Sequence, residues 1–152
     1  MRTNRVLLVI PAAVLMATGA TAGEKKTELK DLPPAVQAAV LEQAKDLPAY
    51  TLSVEEEDGE TSYEVESKVN GFSRDVHIDA SGVVVEVEEE MDPARLPEPV
   101  RKAVEEAAGG GTIRKVEALT KGGATEYEVV ITGPRGKSKF VVSGDGTIKK
   151  KQ

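Results

Sequence analysis

The chain has 152 residues, 39% of them hydrophobic and 30% charged, with three tyrosines, two phenylalanines, no tryptophan and no cysteine. Without cysteine, disulfide staples and a lipid-modified N-terminal cysteine are excluded. A net charge of −6 with so few aromatic rings argues against nucleic acid and anionic membrane as partners.

Residues 1–22 have the pattern of a cleaved signal peptide: Arg2 and Arg5, an apolar run over 6–17, then Ala20-Thr21-Ala22 as a small-residue cleavage site. The run is shorter than the roughly 18 residues needed to span a bilayer, so no integral membrane association is expected after cleavage. Removing Arg2 and Arg5 leaves 18 basic and 26 acidic residues, a net charge of −8. The localisation expected from this is periplasmic or secreted.

From residue 29 onward the chain aligns with itself without gaps at an offset of 64. Leu32-Pro33 meets Leu96-Pro97, Val36 meets Val100, Gly59 meets Gly123, Tyr63-Glu64-Val65 meets Tyr127-Glu128-Val129, and Gly82 meets Gly146. Each copy opens on a proline-led helix, over 33–46 and 97–108. Val36, Ala39, Val40 and Ala44 recur at helical spacing in the first, and Val100, Ala103, Val104 and Ala107 in the second. Pro48 and Gly109-Gly110-Gly111 stop these helices.

The period then changes to two. Strands are predicted over 50–57, 62–69, 72–79 and 83–90 in the first copy, and over 112–120, 124–132, 137–143 and 147–151 in the second. Asn70-Gly71 marks a type I′ hairpin, because both central positions of that turn need positive φ. Alternation puts Tyr63, Val65, Val69, Phe72, Val76 and Ile78 on one face, with Tyr127, Val129, Ile131, Phe140 and Val142 as their equivalents. The predicted fold is α+β: two tandem units, each with one helix packed on a four-stranded antiparallel meander sheet. The first unit is expected over 23–91, a linker over 92–95 and the second unit over 96–152. The linker is too short for free domains, so the units are expected to pack as one body.

This order of Leu-Pro helix, Tyr-Glu-Val strand, hairpin and small-Gly turn resembles the PepSY and PepSY-like families, in particular tandem versions related to β-lactamase inhibitor proteins. The resemblance covers residues 29–152. It implies an exported, non-enzymatic domain that binds or inhibits other proteins, often peptidases.

Candidate sites are few. Asp75, His77 and Asp79 share one strand face, opposite Val76 and Ile78, and point to solvent or a partner. Asp75 and Asp79 are about 13 Å apart at the strand rise, too far to share one metal ion. His77 would need partners from neighbouring strands, such as Glu64, Glu66 or Glu86. The acidic runs 55–58 and 86–90 lack the spacing of a calcium loop and are expected to form a solubilising edge. Residues 133–136 and 144–146 join strand to strand and are expected to be turns, not phosphate cradles.

No nucleophile–base–acid arrangement is evident, so no enzymatic activity, catalytic residue, metal or cofactor is expected. Charge is unevenly spread: residues 24–95 carry 7 basic and 19 acidic side chains, and residues 96–152 carry 11 and 7. The reading favoured is a binding module for another envelope or secreted protein, which the resemblance implies would regulate a peptidase. The alternatives are cation or small-ligand binding on the acidic first sheet, or a structural envelope component.

Overall fold

The computed structural model describes residues 24–57, 59–134 and 136–151. Residues 1–22, read from the sequence as a signal peptide, therefore lie outside the described residues. The described residues form nine strands: β1 (Lys25–Lys26), β2 (Tyr50–Glu57), β3 (Glu60–Val69), β4 (Phe72–Asp79), β5 (Val84–Glu90), β6 (Thr112–Lys121), β7 (Ala124–Gly133), β8 (Gly136–Ser143) and β9 (Ile148–Lys151). Helix α1 (Pro34–Ala44) lies between β1 and β2, and α2 (Glu98–Ala108) between β5 and β6.

Both helices begin where proline costs no hydrogen bond and end by different means. α1 has Pro33 at its cap and Pro34 in its first turn. α2 stops at Gly109, whose left-handed backbone (φ 54°) sends its N–H back to the Glu105 carbonyl. The buried stripe of α1 is Val36, Val40 and Ala44, and that of α2 is Val100 and Val104. The β3–β4 turn has positive φ at both Asn70 and Gly71 (52° and 86°), as a type I′ hairpin requires.

The expectation of two tandem units, each with one helix on its own four-stranded sheet, is overturned. All nine strands form one sheet in sequence order, β1 to β9, with every neighbour antiparallel. The seam is β5–β6, where Val87, Glu88, Glu89 and Glu90 pair with Thr120, Leu119, Ala118 and Glu117. Alternation along a strand tells which side chains share a face, but it does not tell which edge the backbone amides will bond. The acidic residues of β5 project from the faces of the sheet, so they leave its edge free to pair. They do not form the solubilising edge expected from their charge. β1 also adds a ninth strand, through Lys25 opposite Val54 and Lys26 opposite Ser53, from a dipeptide too short to show any periodicity.

Both helices lie on the same side of the sheet. Under α1, Leu32, Val36 and Val40 pack with Leu52, Val65, Val76 and Ile78. Under α2, Leu96, Val100 and Val104 pack with Val116, Val129, Ile131, Phe140 and Val142. The residues expected to link two units, 92–95, form a 3-10 turn over Pro93–Arg95 that the Asp92 side chain caps through the Ala94 N–H at 2.9 Å. With both helices on one side, the other face of the sheet is covered by no described helix.

Candidate functional site

The open face is built by the strand positions that alternate with the core. Across β3, β4 and β5, Glu64 is opposite His77 and His77 opposite Glu86; one row on, Glu66 is opposite Asp75 and Asp75 opposite Glu88. The second row continues over the seam to Leu119 and Glu126, and the next runs Glu90, Glu117, Glu128, Val141. Carboxylates thus lie side by side on neighbouring strands, an arrangement that ordinarily destabilises a sheet.

The side chains bury one another deeply. Glu88, Glu117 and Glu128 are each less than a tenth exposed. Glu117 and Glu128 have their own cations, Lys115 Nζ at 2.5 Å and Lys139 Nζ at 2.5 Å. Glu66 accepts a hydrogen bond from the Thr51 hydroxyl at 2.6 Å, and Glu64 a longer one from Ser53 at 3.4 Å. Glu86 has Lys121 Nζ at 3.5 Å. Glu88 is served less well: among the described residues its nearest cation is His77, with Nε2 at 3.6 Å, and that buried nitrogen has no described hydrogen-bond partner.

The electrostatics follow from this crowding. Burial pushes the Glu64 carboxyl up to about 7, against the opposing pull of His77. Burial, then the charges of Glu88, Glu66 and Glu117, push Asp75 up to about 6. Burial alone would lower the His77 imidazole, but Glu88, Glu64 and Glu86 outweigh it and the net shift is upward. Burial also raises Glu117, despite its pairing with Lys115.

The trio singled out from the sequence is split by the structure. Asp75 and His77 join the crowded patch, whereas Asp79 turns away to cap the β4–β5 turn, accepting hydrogen bonds from Ser81 N, Ser81 Oγ and Val83 N at 2.8, 2.6 and 3.0 Å. Those donors hold Asp79 below the usual carboxylate range. Asp145 is held down to about 2 in the same way, by the Ser143 hydroxyl and then Thr147. Of the neighbours expected for His77, Glu64 and Glu86 are its register partners, but the nearest carboxylate is Glu88, one row away. The diagonal reach of long side chains across a seam-flanking strand was not readable from spacing alone. His77 is also far from solvated, its side chain being only 14% exposed.

Among the described residues, the cluster able to gather around a metal ion is Glu24, Glu64 and Glu66, whose ligand atoms lie within 4.8 Å of one another. No described helix is long and apolar enough to cross a membrane.

No protein-family model and no curated protein matches the chain. Solved structures share its fold. A protein from Bacteroides eggerthii that is expected to be periplasmic superposes with a TM-score of 0.68 at 15% identity, covering 80% of this chain and 88% of that one. A DUF2874 family protein from Bacteroides ovatus gives 0.66 at 17% identity, over 80% and 86%. A BLIP-like protein from Bacteroides fragilis gives 0.60 at 21% identity, over 80% and 85%. The fold is therefore BLIP-like.

Proposed function

We propose that the chain is an exported, non-enzymatic protein-binding module that docks its partner on the open face of the nine-stranded sheet. The observation that carries this is the asymmetry of the sheet. α1 and α2 both cover one face, and the other holds a broad, ordered array of charged side chains with no described helix over it. Such an array is expensive to assemble unless something uses it. The BLIP-like fold and the periplasmic expectation for the Bacteroides eggerthii protein support the reading, as does the signal-like pattern of residues 1–22. The kinship with PepSY-like domains and a role in regulating a peptidase are the finer form of the same proposal.

The test is a photocrosslinking amino acid placed at Thr51 or Leu119 on the open face, or at Leu41 on the exposed side of α1, in the exported protein. Crosslinks to one reproducible protein from the open face alone support the reading. Crosslinks from Leu41 alone, or from none of these positions, refute it.

A second reading has one specific observation in its favour, the convergence of Glu24, Glu64 and Glu66. Three carboxylates of this kind suit a hard cation such as calcium. Calorimetric titration with calcium of the mature chain and of Glu66→Gln decides it: heat lost with the substitution supports a cation site, and absence of heat removes it.

A further inference from the structure

We propose that a cavity on the helix side of the sheet, beside the seam, binds a small amphipathic carboxylate, with Arg74 and Arg95 taking its charged end and Val69, Phe72 and Met91 its apolar body. This surface is opposite the open face, so the proposal is independent of what docks there.

The cavity follows from how the two helices divide the sheet. α1 and α2 cover separate apolar clusters, and the row Arg74, Glu89, Ala118 crosses β4, β5 and β6 between them. Phe72 and Arg74 have the parity of Val76, and Glu89 that of Val87, so all three are on the helix side. An opening of about 340 Å³ there is lined by Val69, Phe72, Arg74, Glu89, Met91 and Arg95. That volume falls within the roughly 300–1,000 Å³ usual for small-ligand sites. Val69 and Phe72, directly opposed at the end of the β3–β4 hairpin, are 39% and 38% exposed. Met91 packs against the cluster under α2 and continues the apolar wall.

The charged end of the ligand is set by the donors. Arg74 Nη2 donates to Gln43 Oε1 on α1 at 2.9 Å, and Nε donates to Glu89 at 3.3 Å. Nη1 is buried and has no hydrogen-bond partner among the described residues. A guanidinium nitrogen left in that state is costly, and a carboxylate drawn against it relieves the cost. Arg95 brings a second guanidinium to the cavity; it is exposed, and no described carboxylate pairs with it. The acidic neighbours do not cancel these charges. Glu90, opposite Glu117, belongs to the open face and accepts from Ser73 N and Oγ at 3.2 and 2.9 Å. Glu89 is 55% exposed and holds Arg74 through the long contact alone, so it can turn to water when a carboxylate that also meets Nη1 arrives. Two guanidiniums against one loosely held carboxylate attract an anion and repel a metal ion. The apolar wall then favours an acid with a hydrocarbon body over a bare anion.

The experiment follows the methyl resonance of Met91, the one methionine after residue 22, as the mature chain is titrated with octanoate, octanol, acetate and N-acetylphenylalanine. The expected result is a saturable shift with octanoate or N-acetylphenylalanine, and binding of octanol and acetate at least about tenfold weaker. Tighter octanoate identifies a free aliphatic acid as the source of the carboxylate, and tighter N-acetylphenylalanine a peptide C-terminus. Arg74→Gln should weaken the acid by about tenfold and Arg95→Gln by about fivefold, whereas Arg101→Gln on the exposed side of α2 should change it by less than about twofold. Glu89→Gln should tighten binding, because the competing carboxylate is gone. If Arg74→Gln fails to fold, Arg95→Gln and Glu89→Gln decide. Octanol bound as tightly as octanoate overturns the proposal, since apolar surface alone is then at work. Equal weakening by Arg95→Gln and Arg101→Gln overturns it as general charge attraction. Lack of a saturable Met91 shift with either acid overturns it too, and leaves the docking reading of the open face standing.

Discussion

Gly82 sits against the first turn of α1 so closely that a Cβ built on it would lie 2.6 Å from the Ala35 carbonyl oxygen. Gly146 meets Pro99 of α2 in the same way, also at 2.6 Å. Each glycine turns the chain with a positive φ, 86° and 89°, and lets the strand turn press on helix backbone. Gly71 has the same φ of 86° with nothing within 4 Å of its Cβ position. The three sites therefore separate two costs. Gly71→Ala should lose about 1–2 kcal/mol from the left-handed backbone alone. Gly82→Ala and Gly146→Ala should each lose about 1–3 kcal/mol more, because backbone atoms must move. Chemical denaturation of the three variants checks the order, and a Gly82→Ala loss no larger than that of Gly71→Ala would show that the contact with Ala35 relaxes freely.

The open face ties stability to pH. Glu64 and Asp75 have folded-state values raised to about 7 and about 6 from 4.5 and 3.8. The folded chain therefore holds protons that the unfolded chain has released, and stability falls as pH rises through those windows. His77, raised above 6.5, acts in the same direction: its contribution is complete below 6.5 and is lost as pH rises through its folded value. Asp79, Glu90 and Asp145 are lowered, so their contributions disappear only as pH falls below the ordinary carboxylate range. The thermal midpoint should peak near pH 4 to 5 and decline toward pH 8. A flat profile between those limits would mean that the face is fully hydrated in solution. His77→Ala should keep the fold and remove only the histidine's own share of that decline, leaving the shares of Glu64 and Asp75.

Asp75 is the clearest single source of this decline. After burial, the charges of Glu88, Glu66 and Glu117 act on it, and His77 offsets them least of all. Asp75→Asn keeps the shape and removes the repelled charge. It should stabilise the chain by up to about 1 kcal/mol near pH 8 and by almost nothing near pH 5, where the native carboxyl is largely protonated. Destabilisation at pH 8 would show that the Asp75 carboxylate already has a cation in the isolated protein.

Much of the fold is legible because alternation is a local property. Val65, Val76, Val129 and Phe140 are all at most 1% exposed, as a period of two under a helix predicts. The type I′ turn at Asn70-Gly71 is equally local. What was not legible depends on contacts distant in sequence. Nothing in residues 84–90 tells that their free edge bonds to 117–120, and without that seam a chain with this pattern reads as two sheets. The site follows the same division. The direction of Asp75 and His77 could be read, but not the burial of Glu88, Glu117 and Glu128, which depends on three or four strands bringing long side chains into one patch. Asp79 shares their parity yet serves the turn, because Ser81 and Val83 supply donors closer than anything on the sheet.

The seam also fixes how the molecule should come apart. α1 and α2 cover separate apolar clusters, which by themselves would permit the two ends of the chain to unfold separately. The β5–β6 ladder joins them through four consecutive residue pairs in mid-sheet, between strands that each have a neighbour on the other side. Opening either half exposes the edge of the other, so the two should melt together. Hydrogen exchange should find the amides of 87–90 and 117–120 that bond across the seam protected as strongly as those of Val65 and Val129. Glu89→Pro, which places a proline in the seam strand, should lower the midpoint reported from both halves by the same amount. Two separate transitions in the native chain, or a midpoint that falls in one half alone, would show that the ladder joins the two cores without coupling them.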